Sequence, residues 1–271
     1  MSAPSTPPER RDLGRLLRGR RAESALAGLI APAAPRLELD GSSLIGVDAY
    51  GAAVARTAVE VHLSRNRRHS VSLIEPHDSE CWALVSDLLG GALPSRCSWA
   101  GTRSPALRGN YVLVPAEAIA DAEDVRLLLD HTIRPAAGAL GYGDRAGQLL
   151  QEAAAVFLHN AEQHAPGAAV PPVVCASLDP QANDLQLTSV NLRGTRSDAT
   201  SDEAALRGAI AKSRSDNGAL TELVSRPRGG LDVSLHLAWG TGRAHFRTSQ
   251  SWHFATGVDV PGFVAGVEVH L

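Results

Sequence analysis

Asn160 and His164 stand four residues apart near the end of Gln148–Gly167, a stretch that reads as one amphipathic helix closing in Asn-Ala-Glu-Gln-His-Ala-Pro-Gly. Residues at this spacing project from one face of a helix. An Asn oxygen is a hard ligand suited to Mg²⁺, and an imidazole can donate to a phosphate oxygen. Together they could serve a metal-bound polyphosphate. One turn before Asn160 the chain has Val156. Glu152 lies two turns before Asn160, about 12 Å along the axis, too far to serve the same phosphate. The same residues also suit a plain helix end, with side chains bonding the last carbonyls and Pro166-Gly167 as the stop.

Three further stretches carry a resemblance. Ser189-Val-Asn-Leu-Arg-Gly-Thr195 ends a β-rich segment. Residues 195–228 form a long polar insertion holding an Ala-rich helix, and Arg226-Pro-Arg-Gly-Gly-Leu231 closes it. With the Asn-bearing helix, this order resembles the GHKL ATPase superfamily, which includes gyrase-type ATPases, histidine-kinase catalytic domains and anti-sigma-factor serine kinases. The resemblance covers roughly residues 125–271 and implies an α/β sandwich. It also implies a site for ATP or ADP with Mg²⁺ in which Asn160 is the metal ligand and His164 attends the phosphates. Asn191 stands where the family has its adenine-reading Asp, with Gly194 as a remnant of the glycines that follow. The insertion corresponds to the ATP lid, and Arg228, Gly229, Gly230 and Leu231 to the phosphate-binding turn, with Arg226 or Arg228 adding charge. Glycines there let backbone N–H groups approach phosphates. The family's Glu or Asp base is Val156 here. Asn191 can still accept a hydrogen bond, without the charge-assisted strength of a carboxylate.

These residues need elements to hold them. Arg36–Asp40 alternates as a half-buried strand, and Asp48–Arg65 carries Ala, Val and Leu at helical spacing. His69–Ile74 is a β-branched strand, Glu80–Leu89 a helix stopped by Gly90-Gly91, and Asn110–Val114 another strand. Strand–helix alternation implies a parallel or mixed sheet covered by helices. In size and rhythm this segment resembles STAS domains. Acidic residues from Asp121 onward suit the start of a helix over about 121–139, and Asp144 suits the cap of the Asn-bearing helix. Beyond it, Val173–Leu178, Asp184–Leu192, Leu231–Trp239, Gly242–Thr248 and Gly266–Leu271 read as strands.

Composition narrows the functional classes. Hydrophobic residues make up 44% of 271, enough for real cores, and a net charge of −3 argues against DNA binding. Lys212 is the only lysine, an Arg bias that fits GC-rich coding. Cys81, Cys97 and Cys175 have no metal-ligand spacing and read as buried reduced thiols. There is no apolar run of membrane length, no signal peptide, no Walker loop, no Gly-x-Ser-x-Gly elbow and no His-Glu-x-x-His. His236/His245 and His253/His270 read as strand surface residues, and Trp239 and Trp252 as packing for the last sheet. Residues 9–30 mix Arg with Leu at amphipathic spacing, as would an arm packing on its own domain or touching an acidic partner or membrane surface.

The expectation is therefore an α/β protein: a basic, partly disordered arm over 1–33, a STAS-like α/β domain over 34–115 and a GHKL-type α/β sandwich over 121–271. Its expected role is that of a bacterial, cytoplasmic regulatory protein that binds ATP or ADP with Mg²⁺, turns it over weakly or not at all, and acts through a protein partner or as a homodimer. The alternatives are an active anti-sigma-type serine kinase or ATPase, and a nucleotide-free scaffold.

Overall fold

The computed structural model describes residues 7–90, 93–101, 112–119, 131, 143–164, 168, 170–179, 183–192, 201–215, 223, 231–248 and 250–270. Among the described residues it is a mixed α/β fold of two main sheets, a short two-stranded pair and two helical layers. β1 (Glu9–Asp12), β3 (Arg36–Asp40), β5 (Ser70–Ile74) and β6 (Cys97–Trp99) form a four-stranded, wholly parallel sheet in that order. The short strands β2 (Leu16–Leu17) and β4 (Gly46–Val47) pair separately. β7 (Val112–Ala118), β8 (Val173–Asp179), β9 (Asp184–Asn191), β10 (Asp232–Arg247) and β11 (His253–His270) form an antiparallel sheet in the order β10-β11-β9-β8-β7.

Between the sheets lie α1 (Gly19–Ile30), α2 (Ala49–Arg65) and α3 (Ser79–Gly90). The outer face of the antiparallel sheet carries α4 (Gly143–His164) and α5 (Asp202–Ser215). α2 is the centre of the molecule. Its sequence is rich in Ala and Val on every side, and from Ala49 to Val59 every residue is buried. A helix apolar all round is one covered all round. α2 packs on β5 and on β7, β8 and β9, and one continuous core joins Leu37, Leu39, Val71 and Leu73 through α2 to Val173, Cys175, Val190 and Val264. Small residues allow this closeness. A Cβ on Gly51 would lie 1.7 Å from the Leu17 carbonyl oxygen. Asp48 caps the helix by accepting from the Gly51 N–H at 2.8 Å.

Several expectations meet a different arrangement. Residues 9–30 pack on their own fold, as one reading of the arm expected, but they begin as strand rather than helix: β1 is the edge strand of the parallel sheet, and α1 packs on α2 and β11. Extension of a polar strand such as Glu-Arg-Arg-Asp comes from pairing with β3, which local pattern does not display. β7, read as the last strand of the first unit, is the edge of the antiparallel sheet because it pairs with β8. α4 begins at Gly143, one residue before Asp144, so Asp144 lies in the first turn. The two strands expected over 231–248 are one, β10, bulged at Gly240, and β11 begins at His253 rather than 266. The helix expected over 121–139 lies outside the described residues apart from His131. Cys81, Cys97 and Cys175 are buried free thiols. Burial pushes Cys81 and Cys97 up to about 12. Trp239 and Trp252 pack against the core beneath α4 and α5. Among the described residues no helix is long and apolar enough to cross a membrane.

Candidate functional site

Strand alternation gives the antiparallel sheet two unlike faces. Leu185, Leu187, Val233, Leu235, Leu237, Val267 and Val269 face α4 and α5 and form a second apolar core with them. α4 meets it with Ala146, Leu149, Leu150, Ala153, Ala154, Phe157 and Ala161, spaced three and four apart. Val156 and Asn160 lie together at the half-buried edge of this stripe, and Val156 packs against the core. The position one turn before Asn160 thus lacks a proton acceptor. Asn191 shares the parity of Leu185 and Leu187 and belongs to the same face. It is buried, and its side-chain oxygen has no hydrogen-bond partner among the described residues. An acceptor left this way costs about 1–3 kcal/mol, so the site holds an unmet demand for a donor. Leu231, just before β10, packs against the same core. α5 is held beside β10 by Asp202, which accepts from the Thr241 N–H at 2.9 Å and its hydroxyl at 3.0 Å. The structure therefore brings Asn160, Asn191 and Leu231 to one layer. The side chain of His164, and Gly194, Arg226, Arg228, Gly229 and Gly230, lie outside the described residues.

The opposite face is polar beneath α1 and α2. Glu23 of α1, 1% exposed, is the hub. Its carboxylate accepts from the Tyr50 hydroxyl, from His236 Nε2 and, at 2.6 Å, from Arg243 Nε. Three further Arg243 N–H groups donate to the carbonyls of Gly240 (2.9 Å), Gly242 (2.9 Å) and Val258 (2.5 Å). Burial pushes the Glu23 carboxyl up, but the contacts from His236, Tyr50 and Arg243 outweigh it and hold it below the ordinary carboxylate range. Burial, then the Glu23 charge, drives the Tyr50 hydroxyl well above its usual value. Asp48 also accepts from the Gly19 N–H at 3.0 Å, tying the starts of α1 and α2 together. Burial dominates at Asp48 and raises its carboxyl.

Beside this hub runs a second chain of bonds across three strands. Ser234 Oγ lies 3.0 Å from His270 Nε2, and His270 Nδ1 lies 2.6 Å from Asp184 Oδ1. The residue types match a nucleophile relay, but acyl transfer also needs donors at the oxyanion position. The backbone of Val233 bonds Thr248 in both directions. By antiparallel alternation the Ser234 amide is then spent on β11, where Glu268 is its register partner. The relay's own strand supplies no such donor, and the chain of bonds works as a polar strut.

His236 and His270 thus sit inside bonded networks rather than at the strand surface. The signal for them was alternation: Asp232-x-Ser-x-His236, Asp184-x-Gln-x-Thr188 and Glu268-x-His270 place polar residues on one parity throughout. That reads as a solvated face unless helices are known to cover it. Among the described residues no group of three or more His, Cys, Asp or Glu side chains is placed to hold a metal ion. No family model, no curated protein and no solved structure matches the chain.

Proposed function

We propose that the chain is a regulatory protein whose antiparallel half binds ATP or ADP with Mg²⁺ between α4 and the end of β9, in the manner of the GHKL proteins it resembles, and passes the bound state to a protein partner or a second copy. The observation that carries this reading is the buried, unpartnered oxygen of Asn191 on the sheet face that α4 covers. It falls where the resemblance places the adenine-reading acceptor, and an exocyclic amino group is the donor it lacks. Asn160 would hold the metal. His164 and the turn Arg228-Gly229-Gly230-Leu231 would attend the phosphates, whose bound Mg²⁺ neutralises their charge. With Val156 in place of a base, no side chain one turn before Asn160 can take a proton from water or a hydroxyl. Binding without appreciable turnover follows.

Calorimetric and thermal-shift titrations with millimolar ATP, ADP and Mg²⁺ test the reading. Asn160→Ala should weaken the Mg²⁺-dependent part of binding, and Asn191→Ala the part shared by adenosine. Absence of both heat and thermal shift in the unmodified chain would sink it.

A further inference from the structure

On the α1/α2 face of the antiparallel sheet, the starts of α1 and α2 leave a cavity of about 160 Å³ over β9, β10 and β11. Gln186, Thr188, Ser234, Glu268, Tyr50 and Asp48 are among the side chains lining it. Three observations make it more than a packing gap. Gln186 is 7% exposed, and its side-chain oxygen is buried without a partner among the described residues. The Glu268 side chain makes no hydrogen bond or ion pair with another described residue, although burial and the nearby Asp184 charge hold its carboxyl above the ordinary range. Gly266 lies on the same face of β11, two residues before Glu268, with Thr188 as its register partner on β9. A Cβ there would meet the Tyr50 ring at 3.4 Å and the Thr188 hydroxyl at 3.6 Å, so the space above Gly266 accepts a carbon atom.

The unmet groups are acceptors and acids. Glu23 already has Arg243 and His236, and Asp48 has two backbone amides. His236 and His245 also line the cavity, with His236 committed to Glu23, and the cavity therefore still lacks a donor for Gln186 and Glu268. We infer that it binds a small organic cation, a primary ammonium or guanidinium compound, through Gln186 and Glu268, with its alkyl part over Gly266 and Tyr50. A cavity of about 150 Å³ accommodates a molecule the size of benzene, which limits the ligand to one short chain. The site lies across the sheet from the nucleotide site proposed above and does not depend on it.

Butylammonium and methylguanidinium chlorides are suitable probes. Butanol is the neutral control of like shape, and sodium chloride the control for ionic strength. Ligand-observed NMR and calorimetry on the full chain should show saturable binding of the cations and none of butanol. Glu268→Gln and Gln186→Leu should each weaken binding about tenfold to hundredfold, the worth of one charge-assisted or buried hydrogen bond. Gly266→Val should abolish it. Should the valine variant fail to fold, Gly266→Ala, whose Cβ lies at ordinary contact distance, should still weaken binding while melting cooperatively. Three results would each overturn the inference: no binding of either cation, equal binding of butanol, or cation affinity unchanged in Glu268→Gln. ATP titration of the same variants separates this site from the other, since nucleotide binding should survive all of them.

Discussion

Glu23 and Arg243 offer the sharpest test of how the two halves are joined, because Glu23 sits on α1 and Arg243 on β10. Both side chains are buried, at 2% and 8% exposure, and Arg243 Nε donates to Glu23 at 2.6 Å. Glu23→Leu strands a buried guanidinium and removes the acceptor for Tyr50 and His236. Removing one partner of a buried ion pair costs about 3–5 kcal/mol, whereas replacing both by apolar groups costs far less. Glu23→Leu and Arg243→Met should each destabilise by that amount, and the double variant by much less than the sum, a coupling of at least about 2 kcal/mol. Urea unfolding followed by circular dichroism measures all four proteins. Each single variant should also melt roughly 6–20 °C lower, at about 2–4 °C per kcal/mol for large domains. The Glu23 carboxyl titrates below its ordinary 4.5, so its contribution is present above that pH and fades as pH falls through the folded value. The penalty of Glu23→Leu should therefore shrink in acid. Additivity of the two substitutions within about 0.5 kcal/mol would refute the hub.

Three other outcomes follow from the same geometry. Gly51→Ala drives a methyl group into the Leu17 carbonyl and should destabilise by at least about 3 kcal/mol or prevent soluble expression, as a urea melt or a solubility assay would show. Glu268→Gln should raise the melting temperature near neutral pH. A carboxyl raised in the folded state contributes stability below its unfolded value and loses it as pH rises through the folded value, so the advantage should vanish below pH 4.5 in a series of melts. Val156→Glu places a carboxylate one turn before Asn160 and should create slow ATP turnover that Asn160→Ala removes. A nucleotide-binding Val156→Glu protein with no turnover in a phosphate-release assay would count against the assignment of that position.

Periodicity made much of the architecture legible. Arg36–Asp40, Asp48–Arg65, His69–Ile74 and the Asn160 helix all emerge near their structural limits, because each has an apolar pattern, alternating, amphipathic or, as in α2, all round, and a turn or cap at its end. What stayed hidden depends on partners distant in sequence. β1 is a charged tetrapeptide made into a strand by β3, and the first half of β11 is a largely exposed, glycine-containing segment held extended by β10. On the α4 side, the sequence pointed to Asn160, Asn191 and Leu231, which share a layer of the fold. On the α1/α2 side it pointed to nothing, since a sheet face of Ser, His, Gln and Glu is indistinguishable from a wet one until two helices are seen to cover it. Nor does composition reveal that α2 serves both sheets. An Ala-rich helix fits either a surface or a centre.

That double service makes synthesis of the chain vectorially awkward. The parallel sheet that covers one flank of α2 is complete by Trp99, but β8 and β9, which cover the other, follow Arg65 only after the long stretch to Val173. At about 5–20 residues per second that interval lasts on the order of 5–20 s. Throughout it, the α2 side chains that will face β8 and β9 lack that cover. Arrested nascent chains ending before Val173 should bind a hydrophobic dye, and those extending through β11 should not. The helix that unites the finished molecule is, while the molecule is being made, its most adhesive surface.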